Sequence, residues 1–149
     1  MSSHPTNEPV LNYEPGSKYK LDLKNEIDKQ LEEIIEIPCI VNGKEVYTNN
    51  TVVQVVPHNH KHILANVHLA GKKEIKEACE AAVKAQVDWI AFGMEKRAQL
   101  FEKCADLLAN EWRMRINAAT MLNQSKTAFQ AEVDAACELI DFWRFNAHY

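Results

Sequence analysis

Glycine is scarce in this sequence, four residues in 149, at positions 16, 43, 71 and 93. Loops that cradle phosphates bring successive backbone N–H groups close to the ligand and need glycines to do so. Neither a dinucleotide-binding fingerprint nor a phosphate loop can therefore be written onto this chain. The stretch NQSKT, Asn123 to Thr127, ends like a phosphate loop but contains no glycine. It reads as a corner between helices, with Ser125 or Thr127 capping the second. Cys39, Cys79, Cys104 and Cys137 form no Cys-x-x-Cys pair, which argues against a zinc or redox motif. Three of them fall on helical apolar positions, and all four are expected to be reduced core residues. No Ser-His-Asp order and no nucleophile elbow occurs. No apolar run approaches the roughly 20 residues that cross a bilayer, so no membrane partner is expected. A formal charge of −4 without a basic stripe likewise leaves nucleic acid out. The first 18 residues carry two acids and no Arg, unlike a mitochondrial presequence or a secretory signal, and no leader is expected in this chain.

What is present suits a globular domain, with 46% hydrophobic and 26% charged residues. Residues 1–17 hold three of the five prolines and no periodicity, and predict an extended arm. In KYKLDLKNEIDKQLEEIIEI the recurrence of Leu23, Ile27, Leu31 and Ile34 predicts an amphipathic helix running to Pro38. CIVNGKEVYT alternates around Asn42-Gly43, a hairpin signal. TVVQVVP and ILANVHLA predict two further short strands joined by HNHKH. From Gly71 onward four helices follow, beginning KKEIKEACEAAVKAQVDWIA, where Ile75, Ala78, Cys79, Ala82, Val83 and Trp89 mark the apolar face. The chain is thus expected to be mostly α-helical with a few short amino-terminal β-strands, too little sheet to cover its helices.

Two constellations could carry chemistry. His58, His60 and His62 alternate, and on a strand they would share one face, a geometry open to zinc. Pro57 and Asn59 argue instead for a solvated turn, and no metal ligand is assigned. In the last helix, wound at about 100° per residue, Phe129, Val133, Ala136, Ile140, Trp143 and Ala147 form one apolar stripe. Ala131, Ala135, Phe142, Phe145 and Tyr149 form a second on nearly the opposite side, with Glu138 in its middle. A carboxylate there is costly unless paired. It either meets an Arg or water, or it waits for a cationic group on a ligand in an aromatic-walled pocket. A stand-alone helical interaction module and, behind it, a His-cluster metal-binding domain stay open as alternatives.

Read together, KRAQLFEKCADLLANEWRMRINAATMLNQSKTAFQAEVDAACELIDFWRF resembles the early helical part of the aldehyde dehydrogenase superfamily. TNEPVL at Thr6 to Leu11 and DAACELIDFWRFNAHY from Asp134 sharpen this to the branch that oxidises L-glutamate γ-semialdehyde to L-glutamate in proline catabolism. The resemblance implies an α/β enzyme of the mitochondrial matrix, NAD-dependent, homodimeric or larger. Residues 18–149 would be an incomplete amino-terminal part of its cofactor-binding domain, needing the remainder of the chain. In the family a cysteine thiolate, a glutamate and an asparagine do the chemistry. Their motifs, Gly-Gln-x-Cys, Glu-x-Gly-Gly and Pro-Phe-Asn-Phe, are not found in this sequence, so no catalytic, cofactor-binding or metal residue is expected within it. The resemblance maps one site residue here: Glu138, which would meet the substrate's amino group. At NQSKT the chain departs from the family's Gly-Gln-Gly-Lys-Thr.

Overall fold

The computed structural model describes residues 4–149, so the first three positions of the expected arm lie outside the described residues. Residues 4–14 form no helix or strand. By contacts the chain divides into two compact units, one made of residues 1–32 and 94–149 and the other of residues 33–93. The first helix begins at Lys18, directly after the expected arm.

In the first unit, α1 (Lys18–Glu32) packs on α4 (Arg113–Gln124), and α3 (Met94–Ala109) packs on α6 (Glu138–His148). The apolar core is small-residue packing. Ala105, Leu108, Ala136 and Ile140 are buried, with Ile116, Leu139 and Trp143 against them, and alanines at such positions let helices approach closely. Helix α6 continues a helical rod that opens as α5 (Ala128–Ala131) and passes through a π-helical segment, Glu132–Cys137. The backbone keeps right-handed helical angles at both junctions, so the rod is unbroken.

The second unit holds β1 (Ile35–Ile37), β2 (Cys39–Val41), β3 (Lys44–Val46), β4 (Thr51–Val56), β5 (Asn59–His68) and α2 (Lys72–Ala91). The hairpin forms as read: β2 and β3 pair antiparallel with Val41 opposite Lys44. Asn42 and Gly43 both take positive φ, 52° and 71°, as a type I′ turn requires. The other sheet has the order β1-β5-β4.

Three expectations are corrected here. The helix expected to reach Pro38 stops at Glu32, because Ile35–Ile37 pairs in parallel with Ala65–Val67 of β5. HNHKH is not all turn: β5 begins at Asn59, leaving Pro57 and His58 as the bend. Helix α2 touches β2, but its half-buried side carries Glu74, Ala78 and Ala81. The bulkier residues of the expected apolar face, Ile75, Val83 and Trp89, are exposed.

Candidate functional site

The two motifs that carried the resemblance meet in space. Arg113 opens α4 and Asn117 follows one turn later, so both point to the same side. Glu132 opens the π segment. The arm passes over them and supplies Glu8, Pro9, Leu11 and Tyr13.

Glu132 is fully buried, and both of its oxygens are engaged. Oε1 accepts from the Leu11 N–H at 2.7 Å and from Arg113 Nε at 3.2 Å. Oε2 accepts from the Tyr13 hydroxyl at 2.7 Å and from Asn117 Nδ2 at 2.8 Å. Arg113 Nη2 donates to Glu132 and to the Pro9 carbonyl, and its Nη1 donates to Glu8. Glu8 then accepts from Arg144 Nη1 at 2.6 Å, and its own N–H donates to Asp141 at 2.7 Å. Asn7 also donates to Asp141, at 2.7 Å.

Burial alone would raise the Glu132 carboxyl, but the Arg113, Tyr13 and Leu11 donors outweigh it and hold the group below the usual carboxylate range. Burial likewise works against the charge on Arg113, and Glu132 and Glu8 reverse this and raise its pKa. Burial and the neighbouring Glu132 push the Cys137 thiol up to about 11. A buried pair bonded from so many sides is a structural clamp. Sequence reading assigned Glu132 no role. A polar Arg113–Asn117 pair one turn apart, on a helix continuing as Ala118, Ala119, was the available signal that something ionic faced it.

Glu138 stands elsewhere on the rod. It is exposed and pairs with no described residue, so the partner Arg envisaged for it belongs to Glu132 instead. Of the two apolar stripes expected for this helix, the first is kept beyond Phe129, with Ala136 and Ile140 buried and Val133, Trp143 and Ala147 half-buried, and the second is broken. Ala131, Ala136, Cys137 and Ile140 are buried, whereas Phe129 and Phe142 are 66% and 62% exposed. Glu138 lies on an uncovered stripe with Gln130, Asp134, Phe142 and Asn146, so an aromatic neighbour remains beside it.

The other expected features are placed as follows. Thr127 caps the rod: its hydroxyl accepts from the Gln130 N–H, and the Gln130 side chain accepts from the Thr127 N–H. Ser125 ends α4 in the left-handed conformation. All four cysteines are free, but only Cys137 is buried, and Cys79 and Cys104 are exposed, which corrects their expected place in the core. His60 and His62 lie on β5 and His58 in the bend. Among the described residues, no three His, Cys, Asp or Glu side chains are grouped to hold a metal ion.

Comparison with known proteins agrees with this arrangement. Residues 45–149 match the aldehyde dehydrogenase family. The chain belongs to that family. Among curated relatives of this aldehyde dehydrogenase chain, a mitochondrial delta-1-pyrroline-5-carboxylate dehydrogenase of Dictyostelium discoideum is 42% identical over 97% of the chain and 26% of the relative. The Homo sapiens mitochondrial delta-1-pyrroline-5-carboxylate dehydrogenase is 43% identical over 96% of the chain and 25% of its own length. In structure, the Mycobacterium tuberculosis delta-pyrroline-5-carboxylate dehydrogenase bound with NAD superposes with a TM-score of 0.96 at 41% identity, over 99% of this chain and 28% of that one. The aldehyde dehydrogenase chain described here thus spans about a quarter of the length of the relatives it matches.

Proposed function

We propose that this chain is the amino-terminal quarter of an NAD-dependent dehydrogenase that oxidises L-glutamate γ-semialdehyde to L-glutamate in proline catabolism, in the mitochondrial matrix and as a homodimer or larger assembly. Within it, Glu138 receives the substrate's ammonium group. The observation that carries the reading is similarity above 40% across nearly the whole chain to proteins named for this activity. The exposed, unpaired carboxylate beside Phe142 supports the role of Glu138.

Among the described residues, no glycine at a helix start offers a free N–H to the NAD pyrophosphate. Gly71 and Gly93 directly precede helices, α2 and α3. The Gly71 N–H already donates to the Glu74 carboxylate at 2.8 Å, an anion where a phosphate would have to sit, and the Gly93 N–H is turned back to the Ile90 carbonyl at 3.2 Å. The cofactor and the reacting cysteine, glutamate and asparagine are assigned to the remainder of the enzyme, and the chain alone is inactive.

A charge-assisted hydrogen bond is worth about 1.5–3 kcal/mol, roughly 10–150-fold in affinity. In the full-length enzyme, Glu138→Ala is therefore expected to lower kcat/KM for glutamate semialdehyde at least about tenfold more than for an unsubstituted aliphatic aldehyde. Equal losses for both substrates would remove the role of Glu138. NAD reduction with semialdehyde by the 149-residue chain alone would overturn the division of labour.

A further inference from the structure

The rod that carries Glu138 is not uniformly α-helical, and its departure has an identifiable origin. Glu132 and Ile140 are both fully buried. They are eight residues apart, which at about 100° per residue leaves them roughly 80° out of phase in a straight α-helix. One residue added to a turn contributes about another 100° of slack, and π turns inside α-helices do this. The rod has such a turn between the two residues, and the N–H of Glu138 itself closes it onto the Val133 carbonyl five residues back.

The exposed residues confirm the underwinding. Gln130, Asp134, Glu138, Phe142 and Asn146 are all exposed at a spacing of four. In an ideal α-helix that spacing drifts by about 40° per step and would carry the last of them nearly half-way round. The core around Ile140 holds one end of the turn. At the other end Glu132 is held by Arg113, Asn117, Tyr13 and the Leu11 backbone.

We propose that Glu132, clamped by Arg113 and the arm, is a positioning residue: it holds the π turn in place and so sets the direction in which Glu138 faces the substrate. This rests on the reading of Glu138 as the ammonium-binding group. It extends the specificity machinery to residues that touch no substrate, including the amino-terminal arm. The clamp is electrostatic and dry, so it keeps one geometry where an apolar contact could slide.

The test is a double-mutant cycle in the full-length enzyme. The readout is the ratio of kcat/KM for glutamate semialdehyde to that for pentanal. Glu132→Gln keeps the side-chain shape and removes the charge facing Arg113. It is expected to lower the ratio at least about fivefold, chiefly through KM for the semialdehyde, and to have no further effect on the ratio in a Glu138→Ala background. Equal loss for the two aldehydes, or a loss that multiplies in the double variant, overturns the proposal, because a purely structural clamp would act that way. A lowered ratio in Glu138→Ala with an unchanged ratio in Glu132→Gln removes only the positioning role, whereas an unchanged ratio in Glu138→Ala removes the substrate reading and this one with it. Tyr13→Phe deletes one donor to Glu132 without stranding Arg113, and decides the matter if Glu132→Gln does not fold. A fall of about twofold in the same ratio is expected, and no change overturns the proposal.

Discussion

A single carboxylate, Glu132, joins four parts of the first unit: the arm, α4, the π segment and, through Arg113 and Glu8, α6. Removing one partner of such a buried pair costs about 3–5 kcal/mol, a large share of the 5–15 kcal/mol that holds an ordinary domain together. The sign of its pH dependence follows from the direction of its shift. The folded carboxyl lies below the usual carboxylate range, so the stability it contributes is complete above that range and is lost as pH falls through the folded value. Urea midpoints followed from pH 7 to pH 3 should fall in the acid range, and Glu132→Gln should flatten that slope. Cys137 acts at the other end. Its thiol moves from 9.0 to about 11, so stability present below pH 9 is lost between the two values. Sequence reading singled out Glu138 and passed over Glu132, because the partners of Glu132 lie up to 121 positions away in the chain. A helical wheel holds no record of what faces it.

At the scale of elements, local chemistry was readable wherever the cause was local. Asn42-Gly43 made its hairpin, and α2 has the limits its periodicity implied. The helix expected to reach Pro38 lost its end to a three-residue strand, because pairing with β5, thirty positions on, outweighs a continued apolar rhythm. The wheel drawn for the last helix held on the far side of the π turn and failed across it: Ala136, Ile140, Trp143 and Ala147 keep one covered side, while the added residue throws Phe129 off their count. The corner before that rod offers a cleaner test. Ser125 has φ +55°, a region that favours glycine, where the family pattern has one. The loop keeps a left-handed path at some cost in strain. Ser125→Gly is expected to stabilise the fold by about 0.5–1 kcal/mol. Thr127→Ala, which removes the cap, should destabilise it by about 0.5–2 kcal/mol. Thermal or urea unfolding of the two variants should shift in opposite directions.

Over the whole molecule, apolar surface is left uncovered. No residue of α2 is buried, and Ile75, Val83, Val87, Trp89 and Ile90 along it are each at least 41% exposed. Surfaces of this kind are normally covered by other protein. The isolated chain is expected to self-associate in sedimentation velocity, and Val83→Lys with Val87→Glu should shift it toward monomer. The clamp over Arg113 also bears on how the molecule is made. Glu8 and Arg144 are 136 positions apart in the chain. At roughly 5–20 residues per second of synthesis, the arm waits about 7–27 s before its last partner exists. Contacts of such long sequence separation also form late in folding. The stretch translated first is therefore among the last to be seated, and until then Glu8 remains in water while Arg113 holds a place for it.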